Sequence, residues 1–298
     1  MTISVDWSVD ELPAPTRDLE RAKRDLDEWG YCFLADALSP SLLERVRTRV
    51  VEQAAAEVEL GVARFDTGRH PSKHEGYGVN QRIPSLLNKG EVFHELALHP
   101  EVAVLLEHAL GPRYLLSSFT ANITAPGCEL QELHTDQGYV TRPFPQYPIV
   151  TNVVWMLDDV DDVNGGTRVV PRSHLWDHDL PSQDVPTVGA VVPAGTAMVV
   201  EGRTWHQAGA NRSDRRRHVL LSNYCRAWVR QQENPFLALA PEVEASLSSG
   251  MRRLLGWKTW GTLGHIGEPG TTDEHGFVHR PERFTTASRP AAPPVAEA

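Results

Sequence analysis

A change in residue pattern near position 112 restricts the fold of this chain more than any other feature of its sequence. From there on the chain consists of short runs rich in β-branched residues, separated by clusters of Gly, Pro, Asn and Asp. The runs are RYLLSSFTANIT, IVTNVVWML, TRVV, TVGAVV, TAMVV and HVLLSNYCRAWV. Short strands at this spacing are typical of an all-β sandwich or barrel. We therefore predict a β core over about residues 112–230.

The residues before this core have a mainly helical pattern. Apolar residues recur at helical spacing over much of 16–111, and the Ser39-Pro40 pair is a favourable start for the longest of these helices. A short strand is predicted at 31–36. Residues 62–80 have no period and several glycines, so we predict a long loop there.

The sequence after the core predicts a return to helix. We expect a helical segment at about 231–284, and the Ala/Pro-rich residues 285–298 have the composition of a disordered tail. The chain has 298 residues, and β proteins of more than 200 residues often fold as one unit. We therefore predict one domain over 1–284 rather than two.

Charge and cysteine content argue against several classes of protein. Lys and Arg number 29 against 39 Asp and Glu, a net charge of −10, whereas a dedicated nucleic-acid binder would carry a basic face. No stretch approaches the ~18 apolar residues of a membrane span, and the acidic N-terminus lacks the apolar segment of a signal peptide. The three cysteines are far apart, which favours neither disulfides nor a zinc site. We expect a cytoplasmic protein without nucleic-acid or membrane partners.

The segment His134-Thr135-Asp136 has the spacing of a metal-binding pair. Alternate residues of a strand project from the same face, so the imidazole and the carboxylate would point together. A second histidine would complete a 2-His-1-carboxylate triad, which leaves coordination positions open and favours Fe(II). His206 is the candidate, because it follows the apolar strand TAMVV and precedes a turn. The HxD pair alone occurs by chance in many proteins, and a hydrogen-bonded core histidine is then the simpler interpretation.

An arginine further along the chain makes the pattern more specific. Arg217 lies eleven residues beyond His206, at the start of the next predicted strand. A buried arginine there could bind a carboxylate through its two-donor fork. Arg215 and Arg216 are interpreted as solvated residues of a polar turn. The set of an HxD pair, a later histidine and a following arginine is much rarer than any of its members.

Three segments resemble the phytanoyl-CoA dioxygenase family of Fe(II)/2-oxoglutarate-dependent oxygenases. They are ELHTDQGYV, NGGTRVVPRSHLW and WHQAGANRSDRRRH. The middle segment differs from the family pattern at Arg172, where a glycine is usual. The likeness covers roughly residues 20–235 and is greatest to members that act on microbial natural products.

The resemblance implies a fold, a metal site and a cosubstrate site. The fold is mainly β with flanking helices around a double-stranded β-helix core (jelly roll, cupin-like). Fe(II) would be held by His134, Asp136 and His206, which are then both metal ligands and catalytic residues. Arg217 would pair with the distal carboxylate of 2-oxoglutarate, and O₂ is the other cosubstrate. The remaining matches to cosubstrate contacts of the family are Gln131, Thr167 and Arg82. Family likeness also suggests a homodimer.

The resemblance further indicates the kind of substrate. We expect hydroxylation, desaturation or epoxidation of a small, largely apolar metabolite in natural-product biosynthesis, since ligand pockets are mostly apolar. The carboxylate of Asp136 argues against a halogenase, because halogenating relatives carry Gly or Ala there. The net charge weakly disfavours a CoA thioester. Candidate substrate contacts are Phe65, His74, Tyr77, Tyr139 and Phe144, together with Trp257 and Trp260 in the C-terminal segment.

Two other functions are compatible with the same pattern. A cupin-like isomerase or hydrolase could use Zn or Mn at the His/Asp/His site, and it would need neither Arg217 nor a 2-oxo acid. A non-enzymatic jelly-roll binding protein would have no reason to keep the whole set of residues.

Overall fold

The computed structural model describes residues 7–66, 80–179, 182–268 and 270–281. The candidates His74 and Tyr77 and the predicted tail at 285–298 lie outside these ranges. The helices are α1 Leu19–Trp29, α2 Pro40–Glu59, α3 Glu91–Ala97, α4 Pro100–Leu110, α5 Pro235–Ala238, α6 Pro241–Ser246 and α7 Ser249–Leu254. The strands are β1 Tyr31–Leu34, β2 Arg64–Asp66, β3 Asn80–Ile83, β4 Tyr114–Thr124, β5 Val150–Met156, β6 Thr167–Val169, β7 Val188–Gly189, β8 Ala197–Glu201, β9 His206–Ala208 and β10 Arg217–Arg226.

The strands form two antiparallel sheets. The large sheet has seven strands in the order β1-β8-β5-β10-β4-β3-β2, and the small one has three in the order β7-β6-β9. Every neighbour in both sheets is antiparallel, and strands far apart in sequence lie side by side. Two packed sheets with such crossovers are the arrangement of a jelly roll. The predicted fold class, mainly β with flanking helices, is confirmed.

One face of the large sheet packs against the helices. Its side chains include Phe119, Trp155 and Leu220, which belong to one apolar cluster with residues of α1 to α4 and α7. The helices are set by local signals: the Ser39 hydroxyl accepts a hydrogen bond from the Leu42 amide at the start of α2. This face supplies most of the buried apolar area and therefore most of the stabilisation.

The opposite face of the large sheet looks toward the small sheet. Around Met156, Met198 and Val219 the space between the sheets is filled by a second apolar cluster, which includes Val169 of β6. The helix-facing and inner side chains alternate along each strand, as the pleat requires. Beyond that cluster the inner face becomes polar, and the functional residues lie there.

The N-terminal part contributes more to the sheet than its sequence pattern predicts. Strands β1, β2 and β3 lie within the predicted helical part 16–111, yet all three belong to the seven-stranded sheet. The predicted loop 62–80 therefore begins with a strand and ends at the first residue of another. Strands of three or four residues are too short to show a period, and their pairing with remote strands decides their state.

The prediction of a helical C-terminal segment over 231–284 is wrong for its second half. Helix ends with α7, and residues 256–281 that are described form turns joined by isolated bridges such as Lys258 with Phe277. Several glycines there have positive φ, including Gly256, Gly264 and Gly276, a conformation that ends helices. Among the described residues, no helix combines the length and the apolar character needed to cross a bilayer.

Candidate metal centre

Three side chains converge on one point between the sheets. The potential ligand atoms of His134, Asp136 and His206 all lie within 4.8 Å of one another. The two histidines face each other across an antiparallel bridge, and their backbones exchange hydrogen bonds of 3.0 and 2.9 Å. Their ring centroids are 4.5 Å apart. The third predicted member of the set, remote in sequence, is therefore brought beside the other two.

The hydrogen bonds of the two imidazoles fix which nitrogen is available. His134 Nδ1 donates to the carbonyl of Glu132 at 3.0 Å, and His206 Nδ1 donates to the carbonyl of Thr204 at 2.9 Å. A carbonyl can only accept, so each neutral ring keeps its lone pair on Nε2. Metal-binding histidines are commonly oriented by a hydrogen bond of this kind.

Asp136 joins the histidines from a turn and not from a strand. The sequence predicts His134 and Asp136 on one strand, but only His134 forms a bridge, and the chain turns at Asp136. Asp136 Oδ1 lies 3.6 Å from His206 Nε2. Its Oδ2 is buried without a hydrogen-bond partner. A buried carboxylate oxygen beside two imidazole lone pairs is unfavourable without a cation, so the donor set fits a metal such as Fe(II).

The electrostatic surroundings keep the first histidine neutral. Burial lowers the pKa of His134, and the charge of His206 lowers it further. The positive charge of Arg82, on the inner face of β3, contributes weakly in the same direction. A neutral imidazole is the form that binds a metal.

Arg217, the first residue of β10, is a buried cation. Its side chain is 4% exposed, and no described carboxylate lies within ion-pair distance. The guanidinium donates to the Asn164 carbonyl at 2.9 Å and to the Thr124 hydroxyl at 3.1 Å, whereas its Nε has no partner. Burial lowers the pKa of Arg217 to about 10, so the group is still charged at neutral pH. Such a cation is suited to an anionic ligand.

Arg217 differs from its two neighbours in burial. Arg215 and Arg216 are exposed in the turn before β10. The metal centre and Arg217 are joined through the segment after β9, because the Asn211 side chain donates to the carbonyl of Thr124 at 3.0 Å. Thr124 is the cross-strand partner of Arg217.

Two further cosubstrate candidates flank Ala208, two residues after His206. Thr167 is its cross-strand partner, and Gln131 bonds it on the other side. The Ala208 amide donates to Gln131 Oε1 at 3.2 Å, so this exposed side chain already supports the end of β9. The structure thus brings both residues close to the histidine strand, and their contact with a cosubstrate stays a prediction.

The aromatic substrate candidates occupy different places. Tyr139 is 57% exposed, and the charge of Asp136 adds to the burial that raises the pKa of its phenol to about 12. Phe144 packs under the Arg142 guanidinium, 4.1 Å from the ring centroid, and the same guanidinium lies over Trp205. Phe144 is thus linked through Arg142 to Trp205, the residue before His206. The contact of either residue with a substrate stays a prediction.

The other aromatic candidates lie away from the metal centre. Phe65 on β2 pairs with Gln81, whose amide donates to the Ala54 carbonyl of α2, so the register places Phe65 on the helix side of the sheet. Trp257 is buried in the helix-side cluster, and Trp260 lies under Arg113 in the C-terminal segment. The structure gives no support for substrate contact by these three residues.

Sequence reasoning missed the residues that hold the His206 strand in place. The Thr204 hydroxyl donates to the Gly30 carbonyl at 2.9 Å, and the Trp205 amide donates to the Ser173 hydroxyl at 2.9 Å. Gly30 has φ +82°, and a Cβ there would collide with the Thr204 hydroxyl and the His174 ring. The sequence indicates Gly30 only as a helix end; its close approach to the loop before β9 is a second reason for glycine.

A jelly roll with two histidines and one aspartate around a single point is typical of enzymes that use a facial-triad metal. The family model described as "Phytanoyl-CoA dioxygenase (PhyH)" matches residues 26–219. The chain belongs to the phytanoyl-CoA dioxygenase family. The predicted family and the predicted enzyme class, a dioxygenase, are confirmed.

Named relatives and solved structures agree with this family. Dioxygenase af480 of Aspergillus fumigatus is 30% identical over 274 residues, 89% of this chain and 84% of that protein. Iron/alpha-ketoglutarate-dependent dioxygenase ausU of Aspergillus calidoustus is 24% identical over 270 residues, 87% of this chain and 88% of that protein. The crystal structure of the epimerase SnoN from nogalamycin biosynthesis has a TM-score of 0.58 and 23% identity, covering 75% of this chain and 89% of that one. The structural likeness supports the shared fold.

Proposed function

We propose that this protein is an Fe(II)/2-oxoglutarate-dependent dioxygenase that oxidises a small metabolite of natural-product biosynthesis. The main support is that two groups of polar atoms between the sheets lack a partner of opposite charge. Two imidazole lone pairs and an unpartnered Asp136 oxygen require a cation, and the buried Arg217 guanidinium requires an anion. Fe(II) would bind the His134, Asp136 and His206 ligand atoms, and the distal carboxylate of 2-oxoglutarate would pair with Arg217.

The metal ligands of this proposal are His134, Asp136 and His206. Fe(II) with 2-oxoglutarate supplies the activation of O₂, coupled to conversion of the 2-oxo acid to succinate and CO₂. The protein contributes positioning: the Glu132 and Thr204 carbonyls orient the two rings, and the antiparallel bridge holds them at a set separation. The 2-His-1-carboxylate set leaves open positions for ligands that are not protein groups.

Arg217 binds the cosubstrate in this proposal. A guanidinium already held by Asn164 and Thr124 keeps its orientation, so less conformational entropy is lost on binding a carboxylate. Arg82, Gln131 and Thr167 are secondary contacts. A zinc or manganese isomerase would have no use for a buried, uncompensated Arg217, and the family relationship favours the oxygenase as well.

The reaction is hydroxylation, desaturation or epoxidation. The names of relatives support an oxygen-dependent oxidation, since they are fungal dioxygenases, and one is named as iron- and alpha-ketoglutarate-dependent. Tyr139 and Phe144 are the described aromatic contacts for the substrate. The apolar cluster between the sheets contains residues of both, so we propose a single oxygenase domain over 1–284. We also propose a homodimer as its assembly.

The test is an anaerobic titration of the protein with Fe(II) and 2-oxoglutarate, followed by admission of O₂. We expect the visible charge-transfer band of the Fe(II)/2-oxo acid complex, then release of succinate. The Asp136→Gly variant is the matched comparison, because it removes one ligand oxygen and one negative charge. It should bind Fe(II) more weakly and lose native oxidation, and its spectrum should respond to azide, which can enter the vacated position. An identical azide response in both proteins would contradict ligation by Asp136.

A further inference from the structure

Within the described part of the chain, two adjacent asparagines on the inner face of the large sheet have a side-chain oxygen without a hydrogen-bond partner. Asn152 on β5 and Asn223 on β10 are direct cross-strand neighbours. Their side chains are only 8% and 4% exposed, and the Oδ1 atom of each is buried without a partner. They do not bond to each other. Burying a carboxamide in this state costs free energy, which a ligand that bonds to it would recover.

Two buried asparagines in loops beside the sheet, Asn211 and Asn164, are fully bonded. The Asn211 amide donates to the carbonyls of Thr124 and Arg215, and its Oδ1 accepts from Ser213. Asn164 donates to the carbonyl of Asp159 and accepts from the amide of Asp161. Asn80 and Asn122, on β3 and β4 of the large sheet, also have a buried Oδ1 without a partner. Asn122 lies opposite Val219, near the Arg217 end of β10. Asn152 and Asn223 differ from them in facing each other directly.

The Asn152–Asn223 pair lies far from Arg217, the residue proposed to bind the cosubstrate. Along β10 the residues Arg217, Val219, Leu221 and Asn223 share the inner face, so Asn223 lies about 20 Å along the strand from Arg217 at ~3.3 Å per residue. A five-carbon diacid held by Arg217 does not span that distance. A β-bulge in the β10–β4 pairing falls between Asn223 and Tyr224, and such bulges often redirect side chains near active sites.

The strand neighbours of the pair carry no charge, and most of them are apolar; the exception is Ser118, opposite Asn223 on β4. The cross-strand neighbour of Asn152 on the other side is Val200. Val150 and Cys225, one step further along the same strands, belong to a small apolar cluster, and burial raises the pKa of the Cys225 thiol to about 12. Two carboxamides in such a wall can donate to one atom and accept from another, and they offer no charge to an ionic group.

We propose that Asn152 and Asn223 form a substrate subsite that binds a hydroxyl or amide group of an otherwise apolar metabolite. This inference rests on the proposed function and makes it more specific. The substrate is then not a plain hydrocarbon skeleton but one that already carries a neutral oxygen or nitrogen function. An enzyme that adds such a group must therefore act before this one on the same skeleton.

The binding test uses three rigid bicyclic probes that differ in one group: bornane, borneol and bornylamine. Each is titrated into the anaerobic Fe(II)/2-oxoglutarate complex while the visible band is followed. Wild type should bind borneol at least about tenfold more tightly than bornane, as one well-formed hydrogen bond implies. In Asn152→Leu and Asn223→Leu that preference should disappear. In Asn223→Asp it should shift by about tenfold toward bornylamine, whose ammonium pairs with the new carboxylate.

A wild type that binds borneol no better than bornane, or that responds to none of the probes, would overturn the subsite. So would Leu variants that keep the preference. Failure of the proposed function is distinguishable, because the band itself would then not form with Fe(II) and 2-oxoglutarate in the wild type.

A measurement without any probe tests the same assignment. If the carboxamide oxygens gain a hydrogen bond only when a ligand binds, they do not stabilise the free protein. Asn152→Leu and Asn223→Leu should then leave the Tm unchanged or raise it, since an apolar side chain removes the unpartnered group. The matched control is Asn211→Leu, which breaks a fully bonded carboxamide and should lower the Tm. A fall in Tm for all three variants alike would mean that the pair is structural, against the proposal.

Discussion

The two faces of the seven-stranded sheet differ in how their polar atoms are treated. On the helix-facing side, the Trp155 indole donates to the Ser222 hydroxyl at 2.9 Å, and the Tyr224 hydroxyl donates to the Ala97 carbonyl at 3.1 Å. On the inner side, among the described residues, buried atoms of Asn122, Asn152 and Arg217 lack partners. Both faces belong to the same strands and alternate residue by residue. The contrast is one of degree, because the buried Thr151 hydroxyl, which strand alternation places on the helix-facing side, also lacks a partner. The inner face nevertheless holds the buried guanidinium and the adjacent carboxamides on which the proposals rest.

Such a division has an energetic reason. Unpartnered buried polar groups each cost about 1–3 kcal/mol, which is a large part of the net stability of a domain. The apolar cluster between sheet and helices offsets this cost. Mutations on the two faces should therefore separate stability from ligand binding, and the following experiments test that separation.

Removing a metal ligand should have the largest effect. We expect His134→Ala and His206→Ala to abolish Fe(II) binding and 2-oxoglutarate turnover while the protein stays folded, because both side chains lie on the inner face. His99, the N-cap residue of α4, is the matched control: it packs against Trp155 and bonds the Ala37 carbonyl. His99→Ala should lower the Tm and keep the metal. Bound iron and thermal melting measure both; retained turnover in a ligand variant would contradict the triad.

Truncating the helix-facing core should mainly cost stability. Phe119 is fully buried and stacks edge-on against Phe93 at 6.0 Å between ring centroids. We expect Phe119→Ala to destabilise the protein by about 3–5 kcal/mol through loss of burial and the cavity left behind. Denaturant unfolding gives this number. At a temperature where the variant is folded, a large loss of Fe(II) affinity would break the division between the faces.

Replacing the buried arginine should weaken cosubstrate binding without lowering stability. Arg217→Met removes a charge–carboxylate contact of about 1.5–3 kcal/mol, so the 2-oxoglutarate KM should rise about tenfold or more. The Tm should hold or increase, because an unpaired buried cation is replaced by an apolar chain of similar length. Arg216→Met, at an exposed position, should change neither quantity. If substitution of Arg216 or Arg215 raises the 2-oxoglutarate KM instead, the assignment of cosubstrate binding to Arg217 is wrong.

The pH dependence of metal binding follows from the lowered pKa of His134. Burial favours the neutral ring, so protons compete with Fe(II) only below the ordinary histidine value of about 6.5. Fe(II) affinity should be constant from pH 8 to 7 and should fall by up to about tenfold per pH unit once the ring titrates. Anaerobic Fe(II) titrations from pH 8 to 5 measure this. Affinity that stays flat over the whole range would count against histidine ligation.

The smallest effect is expected at Gln131. Its side chain is exposed and makes one hydrogen bond to the Ala208 amide, worth about 1 kcal/mol. Gln131→Ala should change the 2-oxoglutarate KM by fivefold or less. An effect as large as that of Arg217→Met would identify Gln131 as a main cosubstrate contact and would extend the ligand-binding face to the edge of the small sheet.

Much of the site could be predicted because local patterns carry it. The HxD spacing, the histidine after a strand and the arginine at the start of the next strand selected His134, Asp136, His206 and Arg217 as a set. The position of Arg217 at the start of a predicted strand also distinguished it from Arg216 in the polar turn. The asparagines of IVTNVVWML and HVLLSNYC were visible as polar interruptions of apolar strands, yet one strand alone does not tell that Asn152 and Asn223 face each other.

The sequence by itself determined the β character after residue 112, the helices α1 and α2 and the family, since periodicity, caps and motifs are properties of neighbouring residues. Tertiary structure alone decided that β1 to β3 join the large sheet and that the described residues of 256–281 are not helical. It also decided which atoms remain without partners. The physical reason is that strand register and hydrogen-bond satisfaction depend on residues far apart in the chain: His134 meets His206 across 72 positions, and only the folded sheets bring them together.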